Sequence, residues 1–141
     1  MRRYVLASLA MLLIACGGDK AIGPETVAGT YTLQTVNGNN VPAAFYEDSQ
    51  ERDEFVSGSV VLADDNSWTG QLGVRGTDLT TNEMFVNTNA PVGGTFSFKN
   101  GQITLTDSFN GLVFTGTVAG ATLSVGTQIV LGAPTSFVFR R

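Results

Sequence analysis

Histidine is absent from the 141 residues, which removes the usual general base near neutral pH and the commonest metal ligand. Cysteine occurs once, at Cys16. No disulfide can therefore form within the chain, and no cysteine-based zinc cluster can be assembled. Eight Lys and Arg stand against twelve Asp and Glu, a net charge of −4, which lacks the basic footprint that nucleic acid binding requires. The one long apolar run, from Tyr4 to Ala15, has twelve residues, well short of the roughly 20 of a spanning helix. Glycine-rich phosphate loops and a Gly-x-Ser-x-Gly elbow are also missing. These absences predict no enzymatic activity, no cofactor, no bound metal and no nucleic acid partner.

What is present begins with Arg2-Arg3, the apolar run Tyr4 to Ala15, and Leu13-Ile14-Ala15-Cys16. That order is the layout of a secretory leader, and its last four residues resemble the lipobox of bacterial lipoproteins. The resemblance implies that residues 1–15, an N-terminal lipoprotein signal helix, are cleaved and that Cys16 is lipidated with diacylglycerol, making the membrane a partner. Gly17, where an aspartate would signal inner-membrane retention, favours the outer membrane of a bacterial envelope, with the periplasmic face and the cell surface both open. Residues 16–28 then form a tether containing Gly17, Gly18, Gly23 and Pro24. Loss of the leader takes Arg2 and Arg3 with it, leaving six basic and twelve acidic residues, a balance of −6.

From Gly29 onward the apolar pattern has a period of two, broken by Gly, Asn and Asp clusters, the mark of consecutive antiparallel strands. Tyr31 and Leu33 share a face, as do Val56, Gly58, Val60 and Leu62, and again Trp68, Gly70, Leu72 and Val74. Asn100-Gly101 and Asn110-Gly111 supply the two positive-φ residues of a type I′ hairpin turn. Residues 41–55 are irregular and read either as a short helix across a barrel mouth or as an irregular hairpin. The prediction is an all-β domain over residues 29–141, a single antiparallel up-and-down β-barrel of about 8–10 strands, since closure removes exposed edges.

Gly29-Thr30-Tyr31 at the start of the first strand and Arg140 at the end of the last resemble the lipocalin family, which carries Gly-x-Trp and a closing arginine there. The order of Gly29-Thr30-Tyr31-Thr32-Leu33, Val36-Asn37-Gly38, Ser57-Gly58-Ser59-Val60-Val61-Leu62 and Phe137-Val138-Phe139-Arg140-Arg141 is closer still to short bacterial lipocalin-like proteins. The resemblance implies that the first and last strands lie side by side, with Gly29, Tyr31 and Arg140 forming the closure and the Arg140 guanidinium over the Tyr31 ring. Tyr replaces Trp at position 31, and the C-terminal helix of long lipocalins is missing.

Tyr31, Trp68, Phe96, Phe98 and Phe114 are the candidate ligand-binding residues, because converging aromatics line a pocket for a small apolar molecule or else fill a core. Gly58, Gly70 and Gly116 fall at inward positions and predict room for a small cavity. Glu47, Asp48, Glu51, Asp53 and Glu54 could supply calcium oxygens, but they lack the EF-hand spacing and read more simply as a solvated loop. Two functions follow: a lipid-anchored barrel that binds a small apolar ligand, or an envelope module with a filled barrel that binds another protein.

Overall fold

The computed structural model describes residues 27–88, 91–130 and 133–141, so the leader and Cys16 lie outside the described residues. The elements are β1 (Gly29–Val36), β2 (Asn39–Asn40), β3 (Ala43–Glu47), β4 (Glu51–Leu62), β5 (Ser67–Asp78) and β6 (Met84–Thr88). After these come β7 (Val92–Lys99), β8 (Gln102–Asp107), β9 (Val113–Ala119), β10 (Thr122–Val130) and β11 (Ala133–Arg140). All pairings are antiparallel. Eight strands close a barrel in the order β1-β4-β5-β7-β8-β9-β10-β11, with β1 pairing both β4 and β11. The expected all-β barrel is thus the observed fold.

Strand alternation builds the core. Ile103 and Leu105 on β8, Leu123 and Val125 on β10, and Phe137 and Phe139 on β11 are buried, while their sequence neighbours face outward. Each large side chain so buried contributes about 1.5–3 kcal/mol. A bulge interrupts β4, where Phe55 pairs Val74 and Ser57 pairs Gly73, leaving Val56 unmatched. The extra residue shifts the alternation, so Phe55 enters the core in place of the expected Val56.

The two barrel ends differ in construction. At the tether end lie the start of β1, the turns after Leu62, Lys99 and Ala119, and the C-terminus. Here the Tyr31 hydroxyl donates to the Val27 carbonyl at 2.7 Å, and Arg141 Nη1 donates to the Ala28 carbonyl at 2.8 Å. The cation over the Tyr31 ring is Arg141, 5.6 Å from its centroid, and not Arg140. Period two explains the correction: Phe137 and Phe139 face inward, Arg141 is next on that face, and Arg140 points to solvent beside Thr32. Gly29, at the start of β1, pairs Leu62 at the end of β4.

At the far end, β4 and β5 run beyond the barrel. β3 pairs the first part of β4, and β6 pairs the last part of β5, giving a four-stranded extension with edges at β3 and β6. Residues 41–55 therefore form the hairpin of the two structures the sequence allowed. The Asn-Gly pairs also differ. Asn100 and Gly101 both have positive φ (52° and 79°), whereas at Asn110-Gly111 only Gly111 does (71°). The latter belongs to a longer loop in which the Asp107 N–H donates to the Leu112 carbonyl at 2.8 Å.

Candidate functional site

The five candidate aromatics do not form one pocket wall. Tyr31, Trp68 and Phe96 are buried in the core, while Phe98 and Phe114 are only partly buried. Trp68 meets Phe114 edge to face at 5.9 Å and 81°, and its indole N–H donates to the Thr106 carbonyl at 3.1 Å. A second aromatic group runs through Phe45, Phe55 and Phe137, with centroids 4.5 and 5.5 Å apart.

The room expected at three glycines is occupied. A Cβ at Gly58 would meet the Leu72 and Leu33 side chains, one at Gly70 the Trp68 ring, and one at Gly116 the Ser124 backbone. These glycines permit close approach by neighbours and leave no hole of their own. Toward the far end, Leu72, Val74 and Phe114, packed on the core, remain half-buried, as do Val41, Phe45 and Phe98 elsewhere on the core's margin.

The acidic segment separates into two structural roles. Asp48 Oδ1 accepts from the Gln50 and Glu51 N–H groups at 2.7 and 2.8 Å, and Tyr46 donates to Oδ2. Acceptance of those bonds holds the Asp48 carboxyl below its ordinary value. Glu54, only 6 % exposed, sits between Arg52 Nη2 at 2.9 Å and Arg75 Nε at 3.0 Å. Two cations and a buried carboxylate form a network across β4 and β5. Among the described residues, no three metal-ligating side chains come together.

The surface feature that composition alone does not reveal is apolar and lies at the far end. Phe109 is 95 % exposed, and Leu112 and Val113 beside it are more than half exposed. Their loop is fully braced: Asp107 Oδ1 accepts from Phe109 N–H at 3.0 Å, Asn110 Oδ1 from Leu112 N–H at 2.9 Å, and Ser108 N–H donates to Gly93 at 2.9 Å. Met84, Phe85 and Val86 on β6 are 67, 59 and 65 % exposed, and Val92 at the start of β7 is also exposed. The signal was an aromatic inside a turn-forming Ser-Phe-Asn-Gly stretch and an uncharged Met-Phe-Val run.

Comparison with protein-family models, with curated proteins and with solved structures finds no match to this chain. The functional reading accordingly rests on geometry and on the residues themselves.

Proposed function

We propose that the chain is a lipid-anchored envelope protein whose barrel, packed by its own side chains, binds another protein through its far end. The observation that carries this reading is Phe109, held almost wholly exposed on a hydrogen-bonded loop. Burying such a side chain is worth about 1.5–3 kcal/mol, and a pre-ordered loop keeps most of that gain because little freedom is lost on docking. Charge polarity agrees with the orientation. Lys99, Arg140 and Arg141 lie at the tether end with Asp64 and Asp65, close to balance, whereas Glu47, Asp48, Glu51, Asp53, Asp78 and Glu83 outnumber Arg52 and Arg75 at the other. Acyl chains on Cys16 would hold the less acidic end toward the lipid headgroups and leave the apolar end free.

The half-buried Leu72, Val74 and Phe114 favour a second reading, a shallow mouth for a small apolar molecule. Crosslinking in intact envelopes separates the two. The protein-binding reading expects adducts that disappear in Phe109→Asp, with Trp68 fluorescence unmoved by apolar probes. Adducts unchanged by Phe109→Asp, together with a saturable Trp68 response and a raised melting temperature, would transfer the function to the mouth. For the anchor, Cys16→Ser should release the protein from membranes washed in high salt; retention there, or failure of wild type to incorporate labelled palmitate, rejects lipidation.

A further inference from the structure

We infer that the outer edge of β6 pairs with β6 of a second copy of this chain, antiparallel and centred on Val86. The inference deepens the protein-binding reading and rests on it. The Asp78 N–H donates to the Glu83 carbonyl at 2.9 Å, which makes these two residues a hydrogen-bonded pair. Such pairs alternate along an antiparallel ladder, so Gly76–Phe85 and Val74–Asn87 are bonded pairs in turn. The backbone N–H and C=O groups of Met84, Val86 and Thr88 therefore point away from β5. Among the described residues no strand pairs with that side of β6.

Sheet edges are ordinarily guarded by lysine, proline or a bulge, and Met84–Thr88 contains no charge, no proline and no bulge. The strand is self-complementary. Three outward-facing residues spaced symmetrically about Val86 let a twofold axis place Val86 against Val86 of the second copy, and Met84 against its Thr88. Isologous pairing of this kind satisfies every outward group in the segment. Glu83 lies outside it, and antiparallel alignment sets the Glu83 residues of the two copies about 20 Å apart at 3.3–3.4 Å per residue. That exceeds the ~8 Å screening length at physiological salt. An anionic lipid surface fits less well, since Asp78 and Glu83 flank the same hairpin and Arg75 is committed to Glu54. Phe85 cannot turn inward to hide the edge residues, because its ring already lies over Gly76, where a Cβ would collide with it.

Directly opposed residues of a bonded pair have Cα atoms about 5.5 Å apart, inside the roughly 4.4–6.8 Å range of a disulfide. In the full chain carrying Cys16→Ser, Val86→Cys supplies the only thiol. Mild oxidation of whole-cell extracts should yield a two-chain species on non-reducing gels, while Ser97→Cys in the same Cys16→Ser background, exposed on the outer face of β7, should yield none. No crosslink at position 86, an equal yield at position 97, or an adduct containing a different protein overturns the second copy as occupant. Light scattering of the wild-type chain in detergent should give the mass of two copies, falling to one in Val86→Pro. Proline costs the monomer no ladder bond there because the Val86 N–H faces outward. A two-copy mass that survives Val86→Pro overturns the proposal, and if that variant misfolds the Val86→Cys result decides alone. A monomeric wild type whose Phe109→Asp variant still loses its envelope adducts removes self-pairing and leaves the protein-binding reading standing.

Discussion

The tether end and the far end of this barrel are made from the same kinds of residue put to opposite use. Near the tether end, Tyr31, Leu62, Leu123 and Phe139 are buried, and the Arg141 side chain folds back on the first strand. Near the far end, Met84, Phe85, Phe109 and Leu112 are comparably apolar and lie in solvent. The difference teaches that apolar content does not locate the core; register does. A residue on the inward parity of a closed strand is buried, and one on an edge strand or a loop tip is not, whatever its side chain.

The sharpest way to break that comparison is to delete a large side chain at each end. Leu123→Ala, at a fully buried position, should cost about 2–5 kcal/mol, read as a lowered urea midpoint. Phe109→Ala removes more atoms and should stay within about 0.5 kcal/mol of wild type. Comparable losses at the two sites would mean that the Phe109 loop packs in solution.

A smaller effect distinguishes the two terminal arginines. Arg141→Ala removes the contact with the Tyr31 ring and the bond to the Ala28 carbonyl, and should cost about 1 kcal/mol. Arg140→Ala should change stability by less than about 0.5 kcal/mol. Melting temperatures in the reverse order would return the closure to Arg140.

The repeat of period two made the barrel and its eight closing strands legible in the sequence, and Asn100-Gly101 marked a true two-residue turn. Three things were not legible, each because the deciding interaction is remote or local to one residue. Whether Arg140 or Arg141 reaches Tyr31 depends on the inward parity of Phe137 and Phe139, which is fixed only by pairing with β1 and β10. Asn110-Gly111 reads as a tight hairpin, yet the Asp107 carboxylate caps the Phe109 N–H and widens the loop. The bulge after Phe55 reverses which residues of β4 face inward, and its sequence signal is a single unmatched valine. Among the candidate aromatics, the pattern identified inward-facing residues but could not tell a pocket wall from a filled core, since that depends on what lies over Gly58, Gly70 and Gly116.

The smallest effects are expected from pH. Asp65 and Asp78 are held below the usual carboxyl value chiefly by bonds from the Ser67 and Thr80 side chains, with backbone N–H groups adding to both. A depressed folded value means that their contribution is complete above the reference value of 3.8 and is lost as pH falls through the folded values. Burial pushes the Tyr31 phenol up, partly offset by Arg141, so its contribution is complete below pH 10.0 and is lost as pH rises through the folded value. Melting curves should show a shallow acid loss reduced by Asp65→Asn and an alkaline loss reduced by Tyr31→Phe. An unchanged acid limb in Asp65→Asn would show that this turn carboxylate adds nothing to the packed end.

Because β1 is hydrogen-bonded to β11, and Arg141 reaches back 113 residues to Ala28, the ring cannot be completed until β11 itself has been synthesised. A ribosome-bound nascent chain can form the hairpins of β4 with β5 and of β7 with β8, whose partners are near in sequence, but its first strand must wait unpaired on one side until β11 has emerged. Vectorial synthesis thus leaves the barrel an open sheet, with β1 as a free edge, until its last strand is available to pair.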